Sequence, residues 1–205
     1  LMGVETSTPN WSEQSRIANF TNEGGYGGKI TYLTNIMGLW IIQSIKKELN
    51  DEYSFNDLEK MARECADFDS VVDVNDNRFL APKSMIEAIK GYCKDYGMKV
   101  PESIGEIMQC AYISLAKCYD VSIKALEEVL GRKYDSIRIV GGGCQDGYLN
   151  ELTAKETGKT VYAGPIEATA LGNVLAQLLG DGTVKDVEEA RSLIRNSFPI
   201  KEIKG

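Results

Sequence analysis

Two stretches of this chain carry residues whose types and spacing suit ligand chemistry. In the first, the strand-like run Ser136-Ile137-Arg138-Ile139-Val140 leads directly into Gly141-Gly142-Gly143, and a helical pattern opens just beyond at Tyr148, Leu149 and Leu152. Glycine has no Cβ, so the backbone of such a strand–turn–helix unit can take up φ > 0 and approach a ligand closely. The helix behind the turn presents unpaired N–H groups, which favour anions. A nucleotide is therefore the first candidate ligand, although the same turn also serves tight strand–helix packing. The spacing is neither G-x-G-x-x-G nor G-x-x-x-x-G-K-[ST], which sets aside a Rossmann fingerprint and a P-loop.

In the second stretch, Asn35 and Gln43 interrupt a run of Ile36, Met37, Leu39, Trp40, Ile41, Ile42 and Ile45. The run reads as one buried helix over about 35–49, with a solvated tail at Lys46-Lys47-Glu48. Eight residues at helical rise place the two amides roughly 12 Å apart, about the reach needed to touch a phosphoryl donor and its acceptor. As plain structure, each is a helix cap or a satisfied core amide.

Composition narrows the chemistry further. There is no histidine, which removes Ser-His-Asp and Cys-His mechanisms from these residues. A general base must be a carboxylate, Lys, Tyr or Cys, or be supplied from outside them. The cysteines, Cys65, Cys93, Cys110, Cys118 and Cys144, form no C-x-x-C pair, so no zinc site is expected and no residue is assigned to a metal. Their odd number and scatter fit a reducing cytoplasm. A net charge of −7 argues against nucleic acid or an anionic membrane as partner. No apolar run approaches the roughly 20 residues of a membrane span, and no signal-peptide pattern opens the chain. Leu1-Met2-Gly3-Val4-Glu5 reads as a strand already under way, so the chain is expected to be a fragment of a longer protein.

The elements that must position these residues follow in order. Residues 19–28 read as a Gly-rich loop before a strand over 29–33. Ser54-Phe55-Asn56-Asp57 caps a helix to about Ala66. Val71 to Ala81 reads as a strand and a turn; Asp73, Asp76 and Arg78 fit an Asx-type turn better than a metal loop. Pro82 opens a helix over 83–96, and Ser103 with Glu106 forms a capping box for the longest helix, 103–130. Then come strand 136–140, helix 148–156 closed by Gly158, strand 160–163, helix 167–179 and helix 187–195. This β-α-β-α order implies a parallel pair and an α/β fold, with ligands at the carboxyl ends of the strands, where Gly141–Gly143 and Gly164 fall.

These residues also carry a resemblance. Ile139-Val140-Gly141-Gly142-Gly143-Cys144-Gln145-Asp146, then Leu149-Asn150-Glu151-Leu152-Thr153-Ala154, Gly158, Val161 and the stretch from Ala163-Gly164-Pro165 to Leu171-Gly172-Asn173, resemble the C-terminal nucleotide-binding half of the FGGY carbohydrate kinases. The stretches from Asn19 to Gly25, Asn35 to Gln43 and Asp76 to Pro82 are similar to the rhamnulokinase branch of that family. The likeness covers essentially the whole chain. One departure is Ala154-Lys155, where many relatives carry Ala-Asp.

The resemblance implies a two-domain kinase of actin-like, ribonuclease-H-type fold that closes around its sugar and ATP. Residues 1–205 are then the ATP-side C-terminal domain, whose partner is an N-terminal sugar-binding domain absent from this chain. The branch phosphorylates L-rhamnulose to L-rhamnulose 1-phosphate with Mg²⁺ and ATP. By motif position, Asn35 contacts the sugar, Gln43 and Gly143 contact ATP, and Gly141 and Gly142 are their neighbours in the nucleotide turn. The catalytic Asp belongs to a G-x-D-T segment outside these residues, as does the first phosphate loop. The chain alone is therefore expected to be inactive and to bind ATP weakly. Two alternatives stand beside this: a kinase of the same family for another sugar, such as L-fuculose or xylulose, and a non-catalytic actin-like nucleotide-binding domain.

Overall fold

In the computed structural model, which describes residues 1–205, the chain divides into two units, Leu1–Lys133 and Tyr134–Gly205. The first opens with strand β1 (Met2–Thr6), helix α1 (Glu13–Ile17) and strands β2 (Thr21–Gly24) and β3 (Ile30–Thr34). They form an antiparallel sheet of order β1-β3-β2, with Met2 opposite Thr34 and Thr21 opposite Leu33. Four of the ten residues of the expected loop over 19–28 are thus a strand, because Thr21–Gly24 finds ladder partners in β3. Tyr32 is buried, stacks on Phe20 at 4.9 Å and donates its hydroxyl to Ser15 Oγ at 2.7 Å, which ties α1 to the sheet.

Four helices complete this unit: α2 (Trp40–Glu48), α3 (Phe55–Glu64), α4 (Met85–Asp95) and α5 (Ile104–Leu130). Reciprocal capping boxes start α3 at Ser54 and Asp57, and α5 at Ser103 and Glu106, as the sequence pattern requires. The helices meet through Ile41, Ile45, Leu58, Ile89, Met108 and Leu115, all fully buried. Each such side chain contributes about 1.5–3 kcal/mol by leaving water. A Cβ on Gly105 would stand 2.7 Å from Cys65 Sγ and from the Met61 carbonyl, so only glycine allows α3 and α5 to approach this closely.

Two expectations are corrected here. Helix α4 starts at Met85 on the Ser84 hydroxyl rather than behind Pro82. Glu48 is exposed, as expected of the solvated tail of α2, and its carboxylate also accepts from the Ser84 hydroxyl and from the N–H groups of Met85 (2.8 Å) and Ile86 (3.2 Å), adding to the cap of α4. Val71–Val74 is not a strand, since no strand lies alongside to pair with it; Val72 N–H instead donates to Ser114 Oγ on α5 at 2.9 Å.

The second unit contains strand β4 (Ser136–Ile139), helix α6 (Gly147–Thr157), strand β5 (Thr160–Ala163), helices α7 (Ala168–Gly180) and α8 (Val187–Ser197), and strand β6 (Lys201–Ile203). β4 and β5 are parallel, with Ile139 opposite Ala163, as the β-α-β pattern requires. β6, which the sequence pattern did not mark, runs antiparallel on the other side of β5. Tyr148, Leu149, Leu152 and Ala154 of α6 are buried, as are Val161 and Ala163 of β5.

Candidate functional site

The chain's glycine block lies where strand β4 ends. Residues Gly141–Gln145 form a 3₁₀ turn between β4 and α6. The turn is tied down at both ends. Gly141 N–H donates to the Pro165 carbonyl at 3.1 Å, Gly164 N–H donates to the Ile139 carbonyl at 2.8 Å, and Asp146 N–H donates to the Gly143 carbonyl at 3.3 Å. The first two bonds lock the carboxyl ends of β4 and β5 together. Asp146 then caps α6 by accepting Leu149 N–H at 3.0 Å.

Gly141 has φ 73°, a left-handed conformation that a side chain would strain. Gly142 is different. Its backbone is ordinary, and a Cβ placed on it or on Gly141 meets no atom within 4 Å. Packing within the chain therefore does not explain a glycine at 142, whereas the open space above it suits a ligand against the backbone. Beside the turn lies a cavity of about 450 Å³, lined among others by Cys144, Gln145, Pro165, Ile166, Phe198 and Lys201. That volume lies within the range of small-molecule sites. Burial raises the Cys144 thiol above its ordinary pKa, so it is a neutral wall of this cavity rather than a nucleophile. Phe198, just after α8, and Lys201, at the start of β6, reach the cavity from the end of the chain, and so escaped the sequence pattern.

The two amides of the first unit occupy different settings. Gln43 lies on α2 with an exposed side chain, while its neighbours Ile41, Ile42 and Ile45 are buried. It is not a core amide. Asn35 is not on the helix at all: it directly follows β3, it is exposed, and α2 begins only at Trp40. The spacing of 12 Å expected from helical rise therefore does not apply. Gly38 disfavours helix within 35–39. The loop is held open by Asn75, whose Oδ1 accepts Met37 N–H at 3.2 Å. Asn75 also donates to Cys118 Sγ on α5 at 3.4 Å, and its own N–H is held by Asp73 Oδ1 at 3.0 Å. Asp73 and Asp76, the latter accepting Arg78 N–H at 2.8 Å, make Asx turns. No group of three or more His, Cys, Asp or Glu is arranged to hold a metal ion.

Residues 1–180 match the C-terminal domain of the FGGY family of carbohydrate kinases. The chain belongs to that family. The FGGY C-terminal domain is an actin-like ATPase fold, and the mixed α/β architecture described above is of that class. Among curated relatives, the chain is 44% identical over 201 residues to the rhamnulokinase of Bacillus subtilis (strain 168), covering 98% of this chain and 41% of the relative. It is 45% identical to the rhamnulokinase of Ligilactobacillus salivarius (strain UCC118), with the same shares covered. Against the rhamnulokinase of Halalkalibacterium halodurans it is 43% identical, covering 98% of this chain and 43% of the relative. This FGGY chain thus spans about two fifths of the length of the relatives it matches. No helix of it is long and apolar enough to cross a membrane.

Proposed function

We propose that this chain is the nucleotide-side domain of a cytoplasmic sugar kinase that transfers the γ-phosphoryl group of ATP to L-rhamnulose, giving L-rhamnulose 1-phosphate and ADP. The observation that carries the reading is the turn Gly141–Gly143 at the carboxyl ends of β4 and β5, where a Cβ on Gly141 or Gly142 would stand in empty space and the next residues, Cys144 and Gln145, line the cavity. The rhamnulokinase relatives supply the sugar.

Residue roles follow from this reading. Gly141, Gly142 and Gly143 lie against the nucleotide, Gln43 presents its exposed amide to ATP, and Asn35 contacts the sugar. Mg²⁺ bound with the nucleotide would supply charge neutralisation at the phosphates. No carboxylate of this chain is assigned to it. The base that takes the proton of the sugar hydroxyl, and the sugar-binding domain, belong to the longer polypeptide that the relatives' lengths imply. Phosphoryl transfer needs that base and both phosphate contacts, so these 205 residues alone do not turn over.

The test is ADP release by the full-length gene product with Mg-ATP, in the presence and absence of L-rhamnulose, with the product identified by phosphorus NMR. Sugar-dependent ADP and a C1 phosphate ester are expected. ADP release that ignores the sugar would remove the reading.

A further inference from the structure

We infer that Asn150 is a positioning residue for the nucleotide turn. The inference rests on the reading of Gly141–Gly143 given above, and assigns a role to a side chain outside the glycine block.

Asn150 lies in the first turn of α6 and is 1% exposed. Its Nδ2 donates to the carbonyl of Cys144 at 3.1 Å. The 3₁₀ turn ends at this point, and the last carbonyls of such a turn have no helical partner of their own. Gly143 O is taken by Asp146 N–H. Cys144 O is taken by a side chain reaching back from the following helix, that of Asn150. The backbone bonds fix where the turn starts and where α6 begins, whereas Asn150 fixes the peptide between them. That peptide borders the cavity through Cys144 and Gln145.

The other half of the amide indicates why an asparagine is there. Asn150 Oδ1 is buried and has no hydrogen-bond partner. An unpaired buried acceptor costs stability, and a leucine of similar size would remove it. The amide thus makes a single bond, to the turn, and leaves its other half unpaired, which marks a place where orientation of the turn matters more than packing. Thr153, one turn further along the same helix, is equally buried but spends its hydroxyl on the Leu149 carbonyl at 2.7 Å, well away from the turn. It is the natural control.

The test compares the full-length gene product with its Asn150→Leu, Asn150→Asp and Thr153→Val variants. It reads kcat, KM for Mg-ATP, KM for L-rhamnulose and the thermal midpoint. Leucine lacks the donor, and aspartate lacks it in its ionised form. Each is expected to raise KM for Mg-ATP about five- to tenfold, the worth of one hydrogen bond, with KM for the sugar unchanged. The leucine variant removes the unpaired Oδ1 but also leaves the Cys144 carbonyl without its donor, so its midpoint is expected to stay close to the wild type's. Thr153→Val is expected to lower the midpoint and leave KM for Mg-ATP alone. Should the leucine variant fail to fold, Asn150→Ser, whose hydroxyl is too short to span the gap, gives the same readout. An active wild type with an unchanged nucleotide KM in the Asn150 variants overturns the inference. So does a rise shared equally by Thr153→Val, which would mean general loosening of α6. A wild type that neither binds nucleotide nor releases ADP overturns this inference together with the nucleotide reading.

Discussion

Asn75 Oδ1 accepts the backbone N–H of Met37 at 3.2 Å, across 38 residues of sequence. That bond keeps residues 35–39 out of the helix that follows and leaves Asn35 exposed at the end of β3. Through its contact with Cys118, Asn75 also refers the loop to α5, the longest helix of its unit. If Asn35 holds the sugar, Asn75 sets where it stands. Asn75→Ala is therefore expected to raise KM for the sugar about three- to tenfold while changing KM for Mg-ATP less. Steady-state kinetics with each substrate varied in turn measures both. Equal effects on the two constants would speak against a local role.

The neighbouring glycines at 141 and 142 separate conformation from space. Gly141→Ala forces a side chain into φ 73° and is expected to destabilise by about 1–2 kcal/mol, visible as a lower thermal midpoint. Gly142→Ala meets no atom of the chain, so the midpoint should hold. Its methyl group would instead occupy ligand space and raise KM for Mg-ATP by about tenfold or more, as overpacking does. A Gly142→Ala enzyme with an unaltered nucleotide KM would leave that space without a ligand.

Stability should fall off on the acid side. Glu106 is held below the ordinary carboxylate pKa, first by the Glu102 N–H, then by Lys99 and the Ser103 N–H. Asp57 and Asp186 are lowered in the same way, mainly by hydrogen bonds at their caps. A carboxylate whose pKa is lower in the folded state binds fewer protons there than when unfolded. Its contribution is therefore complete above the unfolded value, near 4.3 for Glu, and is lost as pH falls through the folded one. Glu106→Gln should cost about 0.5–1 kcal/mol at pH 7, with the difference from wild type vanishing towards pH 3. Urea unfolding at several pH values reads this directly; a difference that grows on acidification would contradict it.

What the sequence showed depended on how local the cause was. The capping box at Ser103 and Glu106 lies within four residues, and α5 begins where that pattern puts it. β5 was bounded by its own β-branched run and glycines, and lies at Thr160–Ala163 as read. The misjudged pieces depend on distant partners. The loop before α2 is held in part by Asn75, and the first N–H groups of α4 are taken in part by Glu48. Strand β6, only three residues long, is defined by pairing with β5 roughly forty residues earlier in the chain. For the site, the glycine turn was legible from composition and order. The Asn150 amide was not, because a buried asparagine on a helix has no local signature until its partner, the Cys144 carbonyl, is placed.

The most direct measurement is kcat/KM of the full-length gene product with Mg-ATP for L-rhamnulose, L-fuculose, xylulose and glycerol, read as ADP release. The account predicts a clear preference for L-rhamnulose, lost when Asn35 is changed to alanine. A preference for another of the sugars, or no sugar-dependent turnover at all, would contradict it.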